Sequence, residues 1–232
     1  MNKHLARGRH VPEQFLWYLF ECLCIAGSIL EHGESEQTPV PNWTSIVHRD
    51  MKLGNVFLGL PSETHYRRYP VPKLGDFGLA ITLPGGELTD QGDYDVHGTE
   101  GNMPIEQIGW LMRKMDDGNS LWPLTSKANV WGVTNVVASL VILKEGFKEL
   151  EYFTEHREPF FDAFQASRYS QELRDLIWNC MRFNPNNRPD LRRVLADIRT
   201  HTLSYLPAAS VTAWTWNAHT IDQGILDLVC TP

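Results

Sequence analysis

Two short stretches concentrate the groups that could do chemistry. The first is His48-Arg49-Asp50-Met51-Lys52-Leu53-Gly54-Asn55, between the β-type runs Ile46-Val47 and Val56-Phe57-Leu58. A charged stretch between two such runs is a tight loop that presents several polar groups together. Asp50 has the chemistry of a base, Lys52 that of an anion neutraliser, and Asn55 that of an oxygen ligand. The second stretch is Lys73-Leu74-Gly75-Asp76-Phe77-Gly78-Leu79-Ala80. Its carboxylate is flanked by glycines, which permit unusual backbone angles and close ligand approach. A carboxylate and an amide on neighbouring loops suit a hard cation such as Mg²⁺ carrying phosphates.

The elements around these loops follow from the pattern. A helix is expected over 12–32, because Phe15, Tyr18, Leu19, Cys22 and Ala26 recur at three- and four-residue spacing and His32-Gly33 supplies a stop. Pro12-Glu13 reads as its first turn, with Pro at N1 and an acid near the positive end of the dipole. Pro61 to Pro72 reads as a loop before Lys73-Leu74, and Gly85 to Gly101 as one long loop. A segment that long is more often functional than filler. Ala128 to Leu143 is almost wholly apolar, as in a helix buried on all sides. Gln171 to Phe183 and Asp190 to Thr200 are amphipathic, with a turn at Asn184 to Pro189 between them. The last thirty or so residues, with Trp214 and Trp216, carry no clear assignment.

Composition bounds the class. The chain has 232 residues, 42% hydrophobic and 21% charged. That is a globular balance, long enough to bury a core. Its net charge of −7 argues against a general nucleic-acid binder, which needs clustered Lys and Arg, but leaves room for a local phosphate site. The four cysteines, Cys22, Cys24, Cys180 and Cys230, have neither CxxC nor zinc spacing. They read as reduced thiols of an intracellular protein without disulfides.

Lys3, Arg7 and Arg9 before the apolar run Phe15 to Leu30 give the outline of a signal peptide. Glu21 inside the run weighs against it, as does a length of 16 residues against the ~20 of a spanning helix. A buried helix, and no membrane partner, is the expectation.

In order and spacing, the two chemical stretches resemble the catalytic loop and metal-binding motif of eukaryotic-type protein kinases, His-Arg-Asp-Leu-x-x-x-Asn and Asp-Phe-Gly. Gly98-Thr99-Glu100-Gly101-Asn102-Met103-Pro104-Ile105-Glu106 is similar to the family segment ending in Ala-Pro-Glu. Ser126-Lys127-Ala128-Asn129-Val130-Trp131-Gly132 is similar to the start of its buried central helix. Leu176 to Cys180 and Asn184 to Pro189 are similar to its late helices. The resemblance covers residues from about 10 to 200.

The resemblance implies a serine/threonine protein kinase using ATP and Mg²⁺ on a protein substrate. Asp50 would accept or orient the substrate hydroxyl proton, and Lys52 would stabilise the transferring phosphoryl group. Asn55 and Asp76 would hold Mg²⁺. Arg49 would pair with a phosphorylated residue in the segment from Asp76 to Glu106, where Thr89, Tyr94 and Thr99 are the available hydroxyls. Thr99 matches the family threonine that approaches the catalytic Asp. His48 and Phe77 would stack as core contacts, and Glu106 with Arg188 would form a buried structural ion pair.

Departures from the family pattern matter too. Pro104-Ile105-Glu106 keeps only the Glu of Ala-Pro-Glu, Asn102 replaces a Tyr, and Asn129 stands where the family has Asp. No two of the 17 glycines are separated by a single residue, so the chain contains no Gly-x-Gly. Lys3 is the sole lysine before Lys52. A Gly-rich nucleotide loop and a β3 lysine are therefore absent from this chain.

The expected fold is a protein kinase-like C-terminal lobe only. It would be mainly α-helical, with short β-hairpins around the catalytic and metal-binding loops. Residues 1–201 would form this partial large lobe and 202–232 a tail, with a missing or separate N-terminal lobe as partner. The competing expectation is a catalytically inactive lobe that serves as a binding or regulatory module.

Overall fold

The computed structural model describes residues 10–34, 38–61, 69–88, 97–108, 122–144 and 168–205. Thr89, Tyr94, Cys230 and the segment 206–232 lie outside them.

Helix α1 runs Glu13–His32. Pro12 is its N-cap and not its first helical residue, and the Pro12 carbonyl accepts from the N–H groups of Phe15 and Leu16. The stop is as expected. Gly33 takes a left-handed φ of 75° and donates its N–H to Ile29 O at 2.8 Å. The helix spans 20 residues and is long and apolar enough by composition to cross a membrane, so the expected 16-residue length gives no argument against a span. Its packing does place it: Phe15, Leu16, Leu19, Phe20 and Leu23 are at most 2% exposed within the core.

Helix α2, Lys127–Ile142, forms the centre of the structure and is buried on nearly every side, as its apolar run predicts. Helices α3, Gln171–Cys180, and α4, Leu191–Tyr205, close over it. Val133, Val136 and Val137 of α2 share one apolar cluster with Leu173 and Ile177 of α3 and Val194 and Ile198 of α4. Helix α1 packs on both α2 and α4. Buried side chains of this size each stabilise the fold by roughly 1.5–3 kcal/mol.

Three antiparallel two-stranded pairs frame the loops. Strand β1, Ile46–Val47, pairs with β4, Ile81–Thr82. Strand β2, Val56–Pro61, pairs with β3, Pro70–Leu74, with Val56 opposite Leu74 and Phe57 opposite Lys73. Strand β5, Glu87–Leu88, pairs with β6, Leu124–Thr125.

Strand β2 thus ends at Pro61, where the expected 61–72 loop begins, and β3 starts at Pro70, inside the end of that loop. The expected loop from Gly85 is also interrupted at once by a 3-10 turn, Pro84–Gly86, and by β5. Strands of two residues are too short to show alternation, so β4 and β5 leave no trace in the pattern. Val47, Leu83, Leu124 and Ala128 form a small second cluster with Ile81 and Leu88 packed on it. It joins the short pairs to the first turn of α2.

Candidate active site

The loop between β1 and β2 carries Asp50, and a 3-10 turn, Leu53–Asn55, ends it. Every oxygen of the Asp50 carboxylate is engaged. Oδ1 accepts from the Thr99 hydroxyl at 2.6 Å and the Thr99 N–H at 3.0 Å. Oδ2 accepts from Asn55 Nδ2 at 3.0 Å and lies 3.1 Å from Lys52 Nζ. Lys52 Nζ also donates to Thr99 Oγ1 at 2.7 Å. Three residues from two distant segments therefore meet at the Asp50 carboxylate.

Burial alone would raise the Asp50 pKa. The hydrogen bonds from Thr99 and Lys52, the Lys52 charge and the Asn55 amide overcome it and hold the carboxyl below its ordinary value. Asp50 is thus ionised at neutral pH, as a proton acceptor must be.

His48 braces this loop from within. It is fully buried and makes three polar contacts. Its backbone N–H donates to Asn129 Oδ1 at 3.0 Å, and its Nδ1 accepts from the Asp50 N–H at 3.3 Å. With Nδ1 accepting, Nε2 carries the proton and donates to Gly75 O at 3.0 Å. Burial lowers the His48 pKa despite the Gly75 carbonyl and the Asp50 and Asp76 charges, so the ring stays neutral. Asn129, at the start of α2, donates through Nδ2 to Ile46 O at 2.7 Å. Its amide thus spans both sides of β1, one atom accepting and the other donating.

The second stretch docks on the first. The Gly75 N–H donates to Asn55 O at 3.0 Å, which ties the residue before Asp76 to the end of the loop that carries Asp50. Asp76 is exposed and Arg49 partly so, and both adopt left-handed backbone, at φ 61° and 67°. Non-glycine residues held there cost about 1–3 kcal/mol and concentrate at functional sites.

Both hydrogen bonds of the Asn55 side chain run through Nδ2, to Asp50 O and Oδ2, which leaves Oδ1 as an oxygen donor. No cluster of three His, Cys, Asp or Glu that could hold a metal exists among the described residues. One carboxylate and one amide oxygen nonetheless fit Mg²⁺, which binds through few protein ligands and completes its shell with water and phosphate.

Arg49 donates through Nε to Leu79 O at 2.5 Å, so here it serves the backbone after the Asp76 turn. Phe77 touches His48 with ring centroids 4.9 Å apart, but the rings are tilted by 56° and not stacked as expected. It is also 49% exposed and not the core contact expected. Phe57, at 50%, leans over Gly75, and Leu60 is 88% exposed.

Glu106 and Arg188 form a bidentate pair at 2.6 and 3.0 Å, with both side chains fully buried. Arg188 also donates to the carbonyls of Arg182, Lys127 and Phe183 and lies 5.0 Å over the Trp131 ring. Every donor direction of the guanidinium is used, which makes it a structural strut. A cavity of about 550 Å³ near it, lined by Arg182, Arg193 and Asp197, shares no residue with the Asp50 cluster.

Two further residues tie the loops together and had no expected role. Gln107 is buried and donates through Nε2 to both Arg49 O and His97 O at 2.7 Å. Asn135 of α2 donates to Asn102 Oδ1 at 2.8 Å. Gln107 is adjacent to Glu106 in sequence, its one available signal.

Comparison with known proteins gives the family. The family model for the protein kinase domain matches residues 43–198, more than half of the chain. The chain is 28% identical over 153 residues, 65% of its length, to the serine/threonine-protein kinase Nek8 of Danio rerio. It is 24% identical over 212 residues, 90% of its length, to Nek10 of Mus musculus. To the G2-specific protein kinase nimA of Emericella nidulans it is 27% identical over 208 residues, 81% of its length. It spans 19%, 16% and 26% of these relatives' own lengths.

Proposed function

The chain belongs to the protein kinase domain family, and from that premise we propose that residues 1–201 act as the large lobe of a serine/threonine protein kinase, with 202–232 as a tail. The reaction is transfer of the ATP γ-phosphoryl group to a protein Ser or Thr hydroxyl, inside the cell. The observation that carries this is the hydroxyl held between Asp50 and Lys52. Thr99 Oγ1 lies 2.6 Å from Asp50 Oδ1 and 2.7 Å from Lys52 Nζ. An acceptor hydroxyl on that spot meets a base for its proton and a cation for the incoming phosphoryl group at once.

In this mechanism Asp50, held ionised, accepts or orients the acceptor proton. Lys52 stays beside it and offsets negative charge as the phosphoryl group arrives. Asn55 Oδ1 and the Asp76 carboxylate would hold Mg²⁺, which when bound neutralises charge on the nucleotide phosphates. His48 fixes the loop from below, with Phe77 tilted against it. Asn129 anchors the loop to α2, and Glu106 with Arg188 anchors the segment that receives the substrate. Arg49 pairs with a phosphorylated residue when one is present.

The exposed faces of Phe57, Leu60 and Phe77 support a further part of the reading. They are the surface on which a nucleotide-covering N-terminal lobe would pack. The same surface favours a second reading, in which the lobe serves as a binding or regulatory module without catalysis.

The test is titration of the full chain with Mg·ATP, followed by transfer of labelled phosphate to a mixed Ser/Thr peptide library. Asp76→Asn and Asp50→Asn serve as controls. Transfer that both substitutions abolish supports the enzyme. Absence of Mg·ATP binding at millimolar nucleotide overturns it and leaves the module.

A further inference from the structure

Asn135 projects from α2 toward the two loops that meet at Asp50. Its side chain is fully buried, and its Nδ2 donates to Asn102 Oδ1 at 2.8 Å while lying 3.4 Å from Met51 O. Asn102 is also buried, and its N–H donates to Thr99 O at 3.0 Å, which closes the turn from Thr99 to Asn102. Thr99 in turn donates both its N–H and its hydroxyl to Asp50 Oδ1. Met51 follows Asp50 in the chain. The contacts therefore form a closed ring: Asp50, Thr99, Asn102, Asn135, Met51 and back to Asp50. Gly132, one turn earlier on α2, lets the loop approach this face. A Cβ at Gly132 would stand 2.8 Å from the Met51 Cβ.

The placement is unfavourable for stability taken alone. Asn135 Oδ1 is buried and, among the described residues, has no hydrogen-bond partner. A buried amide oxygen without a partner destabilises, and apolar side chains of the same size at both 135 and 102 would fill the site without that penalty. Polar groups retained against the stability optimum concentrate where position matters more than stability.

We propose that Asn102 and Asn135 are positioning residues, which set the turn from Thr99 to Met103 against Asp50 and so define the seat of the acceptor hydroxyl. The turn is held at one end by Asp50 and at the other by α2, so loss of the amide pair frees it to drift off the carboxylate. The consequence for transfer rests on the kinase function proposed above; the consequence for Thr99 does not.

The experiment measures hydrogen exchange of the Thr99 amide in the full chain. The variants are Asn135→Leu, Asn102→Ala and the double substitution, with global stability read from urea unfolding. Thr99 exchange at least tenfold faster in each single variant is expected, with the double no faster than the faster single, because both break one link of one ring. Exchange within twofold of the parent in folded variants overturns the proposal, as does a double effect equal to the product of the singles. Should Asn135→Leu fail to fold, Asn135→Ser reads the same link.

In the transfer assay, the KM for peptide is expected to rise at least threefold while the KM for ATP is unchanged. Equal rises in both overturn the assignment to the acceptor seat. A parent chain without transfer refutes the kinase function, and the exchange ratios still decide the positioning role.

Discussion

Replacing Asn129 by Asp separates what the family pattern favours from what this structure requires. The family pattern has Asp at this place, so the substitution looks like a restoration. The geometry gives the opposite sign. Asn129 is 1% exposed, accepts from the His48 N–H at 3.0 Å and donates to Ile46 O at 2.7 Å. A carboxylate keeps the first bond and strengthens it by charge, but it sets an oxygen against the Ile46 carbonyl.

Two escapes exist. The ionised form leaves both oxygens facing each other in a dry site, and a lost buried partner alone costs roughly 1–3 kcal/mol. The protonated form donates to Ile46 O as the amide does. Holding that proton at pH 7 against an unfolded pKa near 3.9 costs about 4 kcal/mol, at 1.36 kcal/mol per pH unit. The lesser route wins, so Asn129→Asp should lose about 2–4 kcal/mol at pH 7.

The sign with pH follows. The introduced carboxyl would have a raised pKa in the folded state, so the unfolded chain releases its proton first as pH rises. The deficit should be small below about pH 4 and grow from there toward neutrality. Urea unfolding followed by tryptophan fluorescence at pH 4 and pH 7 measures both ends. A variant as stable as the parent at pH 7, or a deficit that does not change with pH, would refute the reasoning.

Three other outcomes are expected. Arg188→Ala should lose about 3–5 kcal/mol by stranding the buried Glu106 carboxylate, and a loss under about 1 kcal/mol in urea unfolding would contradict the strut role. Thr99→Val removes one hydroxyl donor, so the Asp50 pKa should rise toward its ordinary value. The stability that Asp50 adds above its unfolded pKa and loses as pH falls through its lowered folded pKa should then shrink, and a carboxyl ¹³C titration that is unmoved argues against it. Burial pushes Cys22 up to about 11 and Cys180 up to about 12, and holds Cys24 well above its ordinary value. With Cys230 replaced by Ser, thiol labelling at pH 8 should run at least about a hundredfold slower in the native chain than in urea, and similar rates would refute the burial.

The parts of the site visible in the sequence are those whose residues are near neighbours. His48, Asp50, Lys52 and Asn55 lie within one loop, so their types and order announce the chemistry. Asp76 follows from its glycine flanks. Asn129, Thr99 and the Glu106 and Arg188 pair needed a family pattern, because each meets its partner from a distant segment. What stayed hidden is the set of single side-chain bonds between loops. Gln107 bridging Arg49 and His97, and Asn135 reaching Asn102, leave no periodic or compositional mark. Helices α1 and α2 were readable to within a residue of their limits because apolar spacing runs over many turns. Helix α3 instead stops at Cys180, short of the expected Phe183, and α4 runs on to Tyr205, past the expected Thr200. The half-exposed face of Phe77 was not readable, since an aromatic residue carries no sign of which neighbours cover it.

Helix α4 fastens back onto the start of the chain. Arg199 pairs with Glu21 at 3.0 Å, and His201 stacks on Trp17 at 4.3 Å. Tyr169 reaches Val11 O at 3.1 Å, and the Ser170 N–H donates to the Glu13 carboxylate. On the ribosome, Glu21 must therefore wait for a partner 178 positions downstream. At about 5–20 residues per second that wait lasts roughly 9–36 s. Through it, helix α1 can bury its other faces against β1, β3 and then α2, but the face that meets α4 stays bare. Loops that close so late make folding slow and aggregation-prone. Helix α1 is thus fully secured only once α4 has been made, and chaperone demand during synthesis should extend over residues 13–32 until then.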